Sequence, residues 1–373
     1  MSAPGGERAD AAYAEAGVDY DRLDALKRLA HAAALATSPA PRPRGASVLD
    51  WSRGEPATLV ELEGLTLAVV LECLGTKSAI ARAVEEESGA DHWADVAYDT
   101  VAAAVNDCCC LGALPLAVNA YFATGSAAWY VGGREASLVA GFRRGCEDAG
   151  AAWTGGESPA LAGVVEEGEI DLAASVLGRV PAGAEPWGGA ALCPGDEIVL
   201  VASSGLHANG ASLARSLSAR LPAGYSSAVP GGASLGEALL VPSVIYVPLV
   251  EALLAGRVEV HYASHLTGHG LRKVMRAERR LTYRLRDLPP VPPVLAFLAE
   301  GCGLSPRQAY GTLNMGAGFA LYCPPSATPA VLAAAESLGM SALRAGVVEE
   351  GPRRVLLEPV GVEYGGDELA LRG

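Results

Sequence analysis

Positive charge is scarce in this chain. Its 373 residues hold 28 Lys and Arg against 42 Asp and Glu, a formal net charge of −14. That balance gives no pull towards a phosphate backbone or an anionic lipid surface, so neither a nucleic acid nor a membrane is expected as a partner. A small anionic substrate would need local help from a Lys, an Arg, a helix N-terminus or a metal ion. Paired cysteine motifs are missing as well. The eight cysteines (73, 108, 109, 110, 146, 193, 302 and 323) contain no C-x-x-C. Cys108, Cys109 and Cys110 are consecutive, point different ways and cannot form a ligand set as they stand. The cysteines read as small buried residues of a reducing, cytoplasmic compartment. The opening MSAPGGERADAAYAEAG has no apolar leader, so a secretory signal is not expected. One charge-free window, 108–133, exceeds about twenty residues, the length of a membrane span. It is broken by Pro115, glycines and polar residues and reads as buried strand and turn.

Half of the residues are hydrophobic, with 45 Gly and 24 Pro, which suits a globular chain with many tight turns. The length suits two domains. A helical pattern runs from Tyr13 to Ala36 with Leu23, Leu26 and Leu29 on one stripe, followed by a Pro/Arg connector. Leu65–Leu71 reads as a strand, 79–87 and 99–110 as helices, 116–122 as a strand, 136–149 as a helix and 171–180 as a strand. The stretch 182–194, AGAEPWGGAALCP, is rich in Gly and Pro and marks the domain boundary, giving units 1–181 and 182–373. Beyond it, strands are expected at 197–202, 258–263 and 316–322, with helices near 211–220, 243–254, 271–275 and 329–338 and two closing strands. The fold class is α+β.

Between strand 197–202 and the next helix stands Ser203-Ser-Gly-Leu-His-Ala-Asn-Gly210. A strand entering a helix through a Gly-rich turn leaves the helix's first N–H groups free, and those donors favour an anion. His207 and Asn209 could bond a phosphate, a ribose or an amide; an ordinary Asn-capped turn is the plainer reading. No Walker lysine is present, so this is not a P-loop. The arrangement recurs at His265-Leu-Thr-Gly-His-Gly270 and at Glu72-Cys-Leu-Gly-Thr-Lys77. Three such turns favour a phosphorylated ligand. Glu72, Asp99, Asp107 and Glu157 each sit in apolar or Gly-rich context, where an unpaired carboxylate is costly. A hard cation such as Mg²⁺ would make them a favourable cluster; caps and local ion pairs would also account for them.

Taken together and in order, the motifs resemble the phosphoribosylformylglycinamidine cyclo-ligase (aminoimidazole ribonucleotide synthetase) family over nearly the whole chain. Tyr13-Ala-Glu-Ala-Gly-Val-Asp-Tyr-Asp21 resembles the family's Y-x-D-A-G-V-D-I-D, and Gly75-Thr76-Lys77 the end of its D-G-V-G-T-K. Val105-Asn106-Asp107 with Gly112-Ala113-x-Pro115 matches V-N-D-x-x-x-x-G-A-x-P, Tyr121–Gly125 matches Y-F-A-T-G, and Gly155-Gly156-Glu157 matches G-G-E-T. Residues 203–210 resemble S-S-G-x-H-S-N-G, 265–270 resemble H-I-T-G-G-G, and the stretch from Asn314 to Gly318 resembles F-N-x-G-x-G-M. The sequence departs from the pattern at Glu72-Cys73, where the family has D-G, and at 155–163, where a second acid is lost.

The resemblance implies a two-domain synthetase-like fold. The N-terminal half would form a β-barrel shared across a homodimer, flanked by helices, with a C-terminal α/β half outside. It implies an ATP-dependent ring closure: ATP phosphorylates an amide oxygen of a ribonucleotide substrate, the amidine nitrogen attacks, phosphate departs and the imidazole forms. Glu72, Asp107 and Glu157 would hold Mg²⁺. Gly75, Thr76, Lys77, Asn106, Asp107, Glu157, Thr267 and Asn314 would bind ATP. His207, Asn209, His265 and Lys77 would serve catalysis. A relative activating a different amide, or a nucleotide-binding paralogue without catalysis, are the competing expectations.

Overall fold

The computed structural model describes residues 20–369. The helical pattern read from Tyr13 therefore begins outside the described residues, as does most of the Tyr13–Asp21 motif. The helix itself, α1 (Tyr20–Thr37), is present, with Leu26 and Leu29 exposed.

The first unit places β1 (Ala46–Val48), β2 (Thr58–Leu62), β3 (Leu65–Cys73), β4 (Leu114–Thr124), β5 (Ala152–Glu157) and β6 (Ile170–Arg179) in one sheet, ordered β1-β2-β3-β6-β4-β5. The hairpin β2–β3 turns through Glu63 and Gly64, both with positive φ (49° and 80°). Such a two-residue turn matches the twist of the strands it joins. Alternation then gives the sheet two faces. Ala68 and Val70 are buried under α2 (Lys77–Ser88) and α3 (Trp93–Cys109); Val69 and Leu71 point outwards and are exposed. Helix α3 is buried almost all round. Its run of Val101, Ala102, Ala103, Ala104 and Val105 lets it lie close to β3, β6 and α4 (Arg134–Asp148).

The second unit forms a sheet ordered β13-β12-β9-β11-β7-β10-β8. Its strands are β7 (Glu197–Ala202), β8 (Tyr262–His265), β9 (Leu281–Leu285), β10 (Ala317–Cys323), β11 (Ala342–Glu350), β12 (Arg354–Leu357) and β13 (Val362–Gly365). All pairings are antiparallel except β12 with β9. Helices α5 (Ala211–Ser218), α6 (Leu235–Leu239), α7 (Val247–Ala255), α8 (Pro293–Gly301), α9 (Pro306–Thr312) and α10 (Thr328–Ser337) accompany it. The architecture is mixed α and β in two sheets, as read. Strands β1, β2, β5 and β9 and the helices α6, α8 and α9 went unread. Helices α8 and α9 open on proline, a residue that signals a break in sequence but is pre-shaped for a first helical position. Three strands close the fold where two were expected, and 271–275 is a 3₁₀ turn, Gly270–Met275. The apolar interior of the two units is continuous. Among the described residues no helix is long and apolar enough to cross a membrane.

Candidate functional site

Helix α3 carries the polar groups that join the two units. Asp99 and Asn106 are seven residues apart and so share a face. Asp99 accepts a hydrogen bond from the Ser243 amide (2.6 Å) and pairs with the Lys77 ammonium at full burial of both side chains. Burial pushes the Asp99 carboxyl up, against the opposing charge of Lys77. The Asn106 amide donates to the Val244 carbonyl and accepts from the Tyr246 amide, both at 2.8 Å. Two side chains of the first unit thus clamp residues 243–246 of the second.

Asp107, next along α3, faces β8. Its Oδ1 lies 2.7 Å from His265 Nδ1, and both residues are buried. Burial opposes the Asp107 charge, but the His265 hydrogen bond and the charges of His265, Lys273 and Arg276 hold its carboxyl below the usual range. A charged Asp107 makes Nδ1 the donor, which fixes the ring and leaves Nε2 to exchange protons. Glu72, at the inner end of β3, adjoins this pair. Burial, then the Asp107 charge, raises its carboxyl to about 8. Lys273 stands opposite and donates to Thr267 Oγ1. Burial and Arg276 bring its ammonium down to about 8. Arg276 donates to the Gly54 carbonyl (2.8 Å) and lies 3.5 Å from Glu55, which also accepts from the Tyr262 hydroxyl at 2.8 Å. Two carboxylates, one imidazole and two cations meet where the units touch. Lys273, Arg276 and Glu55 were missed in the sequence. The basic run LRKVMRAERR directly after the His265–Gly270 turn, in so acidic a chain, was the available signal.

The turn 203–210 folds inwards. His207 adopts a left-handed backbone (φ 58°) and is only 2% exposed. Its Nε2 accepts from the Ser204 amide (3.0 Å) and the Val244 amide (3.4 Å), so its hydrogen sits on Nδ1, which has no partner. Burial, with His265 and Lys77 nearby, holds the imidazole well below its ordinary pKa, and it is neutral. Asn314 accepts from Ser203 Oγ and the Gly316 amide (both 2.9 Å) and donates to the Gly205 and Leu206 carbonyls. Asn209 donates to the Thr312 carbonyl at 2.6 Å. Gly318 is required beside this turn: a Cβ there would lie 1.8 Å from the Tyr246 hydroxyl. The exposed residues Gly75 and Thr76 start α2, and Thr76 Oγ1 reaches Ser212 Oγ on α5 at 3.5 Å. The free N–H groups of two helices, one from each unit, therefore open onto one place.

Several sequence expectations are corrected by these positions. Glu72 and Asp107 come together, but Glu157 does not join them. It is exposed on edge strand β5, and its register partners across the sheet are Tyr121, Ala173 and Cys73. Three strand spacings put it roughly 14 Å from Cys73. Alternation also aims it at the outer face, away from the inward Glu72. The Lys77 ammonium is 0% exposed and paired with Asp99. The side-chain amide of Asn106 is engaged by the backbone of Val244 and Tyr246, and that of Asn314 by Ser203 Oγ and the backbone of Gly205, Leu206 and Gly316. His207 Nε2 is engaged by its own turn and by Val244.

Two family models match the chain: AIR synthase related protein, N-terminal domain, over 54–180, and AIR synthase related protein, C-terminal domain, over 193–357. A phosphoribosylformylglycinamidine cyclo-ligase of Anaeromyxobacter sp. (strain K) is 36% identical over 353 residues, covering 91% of this chain and 96% of that protein. One of Thermosynechococcus vestitus is 33% identical over 286 residues, 76% of this chain and 81% of that protein. Among solved structures, the hydrogenase maturation protein HypE superposes with a TM-score of 0.59 at 18% identity, covering 82% of this chain and 91% of that one. AaThiL complexed with AMPPCP and TMP gives 0.54 at 15% identity, covering 83% and 91%. The fold is shared with these structures, and the sequence match spans both units: the chain belongs to the AIR synthase related family.

Proposed function

We propose that this chain is an ATP-dependent cyclo-ligase that closes the imidazole ring of aminoimidazole ribonucleotide from formylglycinamidine ribonucleotide, a step of purine synthesis. The observation that carries the reading is the junction of Glu72 and Asp107 from the first unit with His265 from the second. The curated relatives at 33–36% identity bear the name of that reaction.

Mg²⁺ fits Glu72 and Asp107. Burial, then the adjoining Asp107 charge, keeps Glu72 protonated far above its ordinary range, and a hard cation would favour both charged carboxylates. When bound there, it would neutralise charge on the nucleotide phosphates. The remaining work falls to the chain. The α2 and α5 N-termini, with Gly75, Thr76 and Ser212, would receive phosphate oxygens. Lys273 and Arg276 would balance the charge that develops on the activated amide. His265, held by Asp107, would take the proton that the attacking amidine nitrogen loses. Thr267, oriented by Lys273, and Asn209 line the same side. Glu157 keeps a role only in nucleotide contact from the outer face.

The units are taken as 1–181 and 182–373; the two sheets and the two family matches support that division. A homodimer is part of the reading, supported by exposed Val69, Leu71 and Leu177 on the outer face of the first sheet. Cytoplasmic placement is supported by the eight cysteines, all of them free. The test is ADP release. Release that depends on formylglycinamidine ribonucleotide and yields the imidazole product supports the proposal. Release only with another amide, or nucleotide binding without turnover, overturns it.

A further inference from the structure

A second cluster lies at the entrance to the other sheet. The turn Cys193-Pro-Gly-Asp196 leads into β7, and Asp196 closes it by accepting from the Cys193 amide at 2.9 Å. The Cys193 thiol lies 3.7 Å from the other oxygen of the same carboxylate. His261, 65 residues later, places Nδ1 2.8 Å from Asp196 and Nε2 3.0 Å from Glu259. One ligand atom each from Cys193, Asp196 and His261 lie within 4.8 Å of one another. His261 precedes β8 and His265 ends it, so four residues of extended chain, roughly 13 Å, separate this cluster from the Glu72–Asp107 junction.

We propose that Cys193, Asp196 and His261 form a binding site for a divalent transition-metal ion of the zinc type, with a fourth position open to water. The chemistry of the donors selects the ion. A thiolate, an imidazole and a carboxylate together suit zinc and its neighbours, whereas magnesium and calcium take oxygen donors. In a tetrahedral zinc site the donors stand roughly 3.3–3.6 Å apart, so small side-chain rotations complete the shell. Asp196 is buried and accepts from the Cys193 amide, His261 is half-buried between Asp196 and Glu259, and exposed Cys193 gives the ion a way in. On binding, the Cys193 thiol proton would leave to solvent. The bound ion would tie the turn that starts β7 to the residue that starts β8.

Cobalt(II) titration of the full-length, chelator-stripped protein tests this, with excess Mg²⁺ present to occupy the oxygen site. About one cobalt per chain is expected, with thiolate-to-cobalt charge-transfer absorption that zinc displaces. Cys193→Ser should abolish that absorption, His261→Gln should weaken cobalt binding at least about tenfold, and Cys73→Ser should leave both unchanged. Zinc should raise the melting temperature of the wild type and not of Cys193→Ser. No thiolate band in the wild type, or a band that survives in Cys193→Ser, overturns the proposal.

Discussion

A histidine can be catalytic or structural, and here one proposed for catalysis stands close to one fastened into its own turn. His265 touches a charged carboxylate at the junction of the units, so His265→Ala and Asp107→Asn should each lower turnover at least about tenfold. ADP release under saturating substrate reads the effect, with unchanged circular dichroism as the control. His207 is neutral because burial and nearby positive charge depress its pKa. The unfolded chain binds a proton at this imidazole near its ordinary value, and the folded chain does not. Its contribution to stability is therefore retained above that value and lost as pH falls below it. His207→Asn keeps a residue that tolerates positive φ and removes the titration. Urea unfolding from pH 7.5 to about 5 should show a shallower loss of stability in the variant than in the wild type. Lys77 belongs with the structural group. Lys77→Met leaves Asp99 unpaired at full burial and should cost about 3–5 kcal/mol in the same measurement. Both residues lie in legible motifs, but a motif names a residue without saying which way its side chain turns.

At the scale of elements, α3 is the piece on which the rest depends. Its small side chains let it pack close to the sheet, and its Asp99/Asn106 stripe reaches the other unit. Asn106→Ala removes partners from the Val244 carbonyl and the Tyr246 amide, at roughly 1–3 kcal/mol for each buried group left unpaired. Faster hydrogen exchange at the Tyr246 amide, ahead of global unfolding, is the expected signature. The helix was evident from its composition, and so was the strand pattern of β3. The clamp was not, because its partners lie about 140 residues away and present only backbone atoms. The edge position of β5 was hidden for the same reason: Gly155-Gly156-Glu157 reads as a ligand loop until pairing with β4 fixes which face Glu157 takes.

For the whole molecule, the unsettled surface is the outer face of the first sheet. Leu71 is 74% exposed there, with Val69 and Leu177 beside it. In water such a contiguous apolar face favours association. Leu71→Asp should shift the protein from dimer to monomer in sedimentation velocity, while circular dichroism stays unchanged, since the side chain contributes little to the core of its own chain. A wild type that sediments as a monomer at micromolar concentration would remove the dimer from the proposed function.

The sequence alone determined what depends on local chemistry and order. Strand alternation and helix composition were enough for the α+β class, and the motifs taken in order carried the resemblance to the family. They also singled out Glu72, Asp107 and His265. Tertiary structure decided what depends on distance through space. It joined Asp107 to His265 across 158 residues, brought Lys273 and Arg276 to the same junction, and gathered Cys193, Asp196 and His261 elsewhere. It also turned Lys77, Asn106, His207 and Asn314 into internal fastenings. The reason is physical: a polar group removed from water must find a partner, and in this chain that partner is most often supplied by a distant segment.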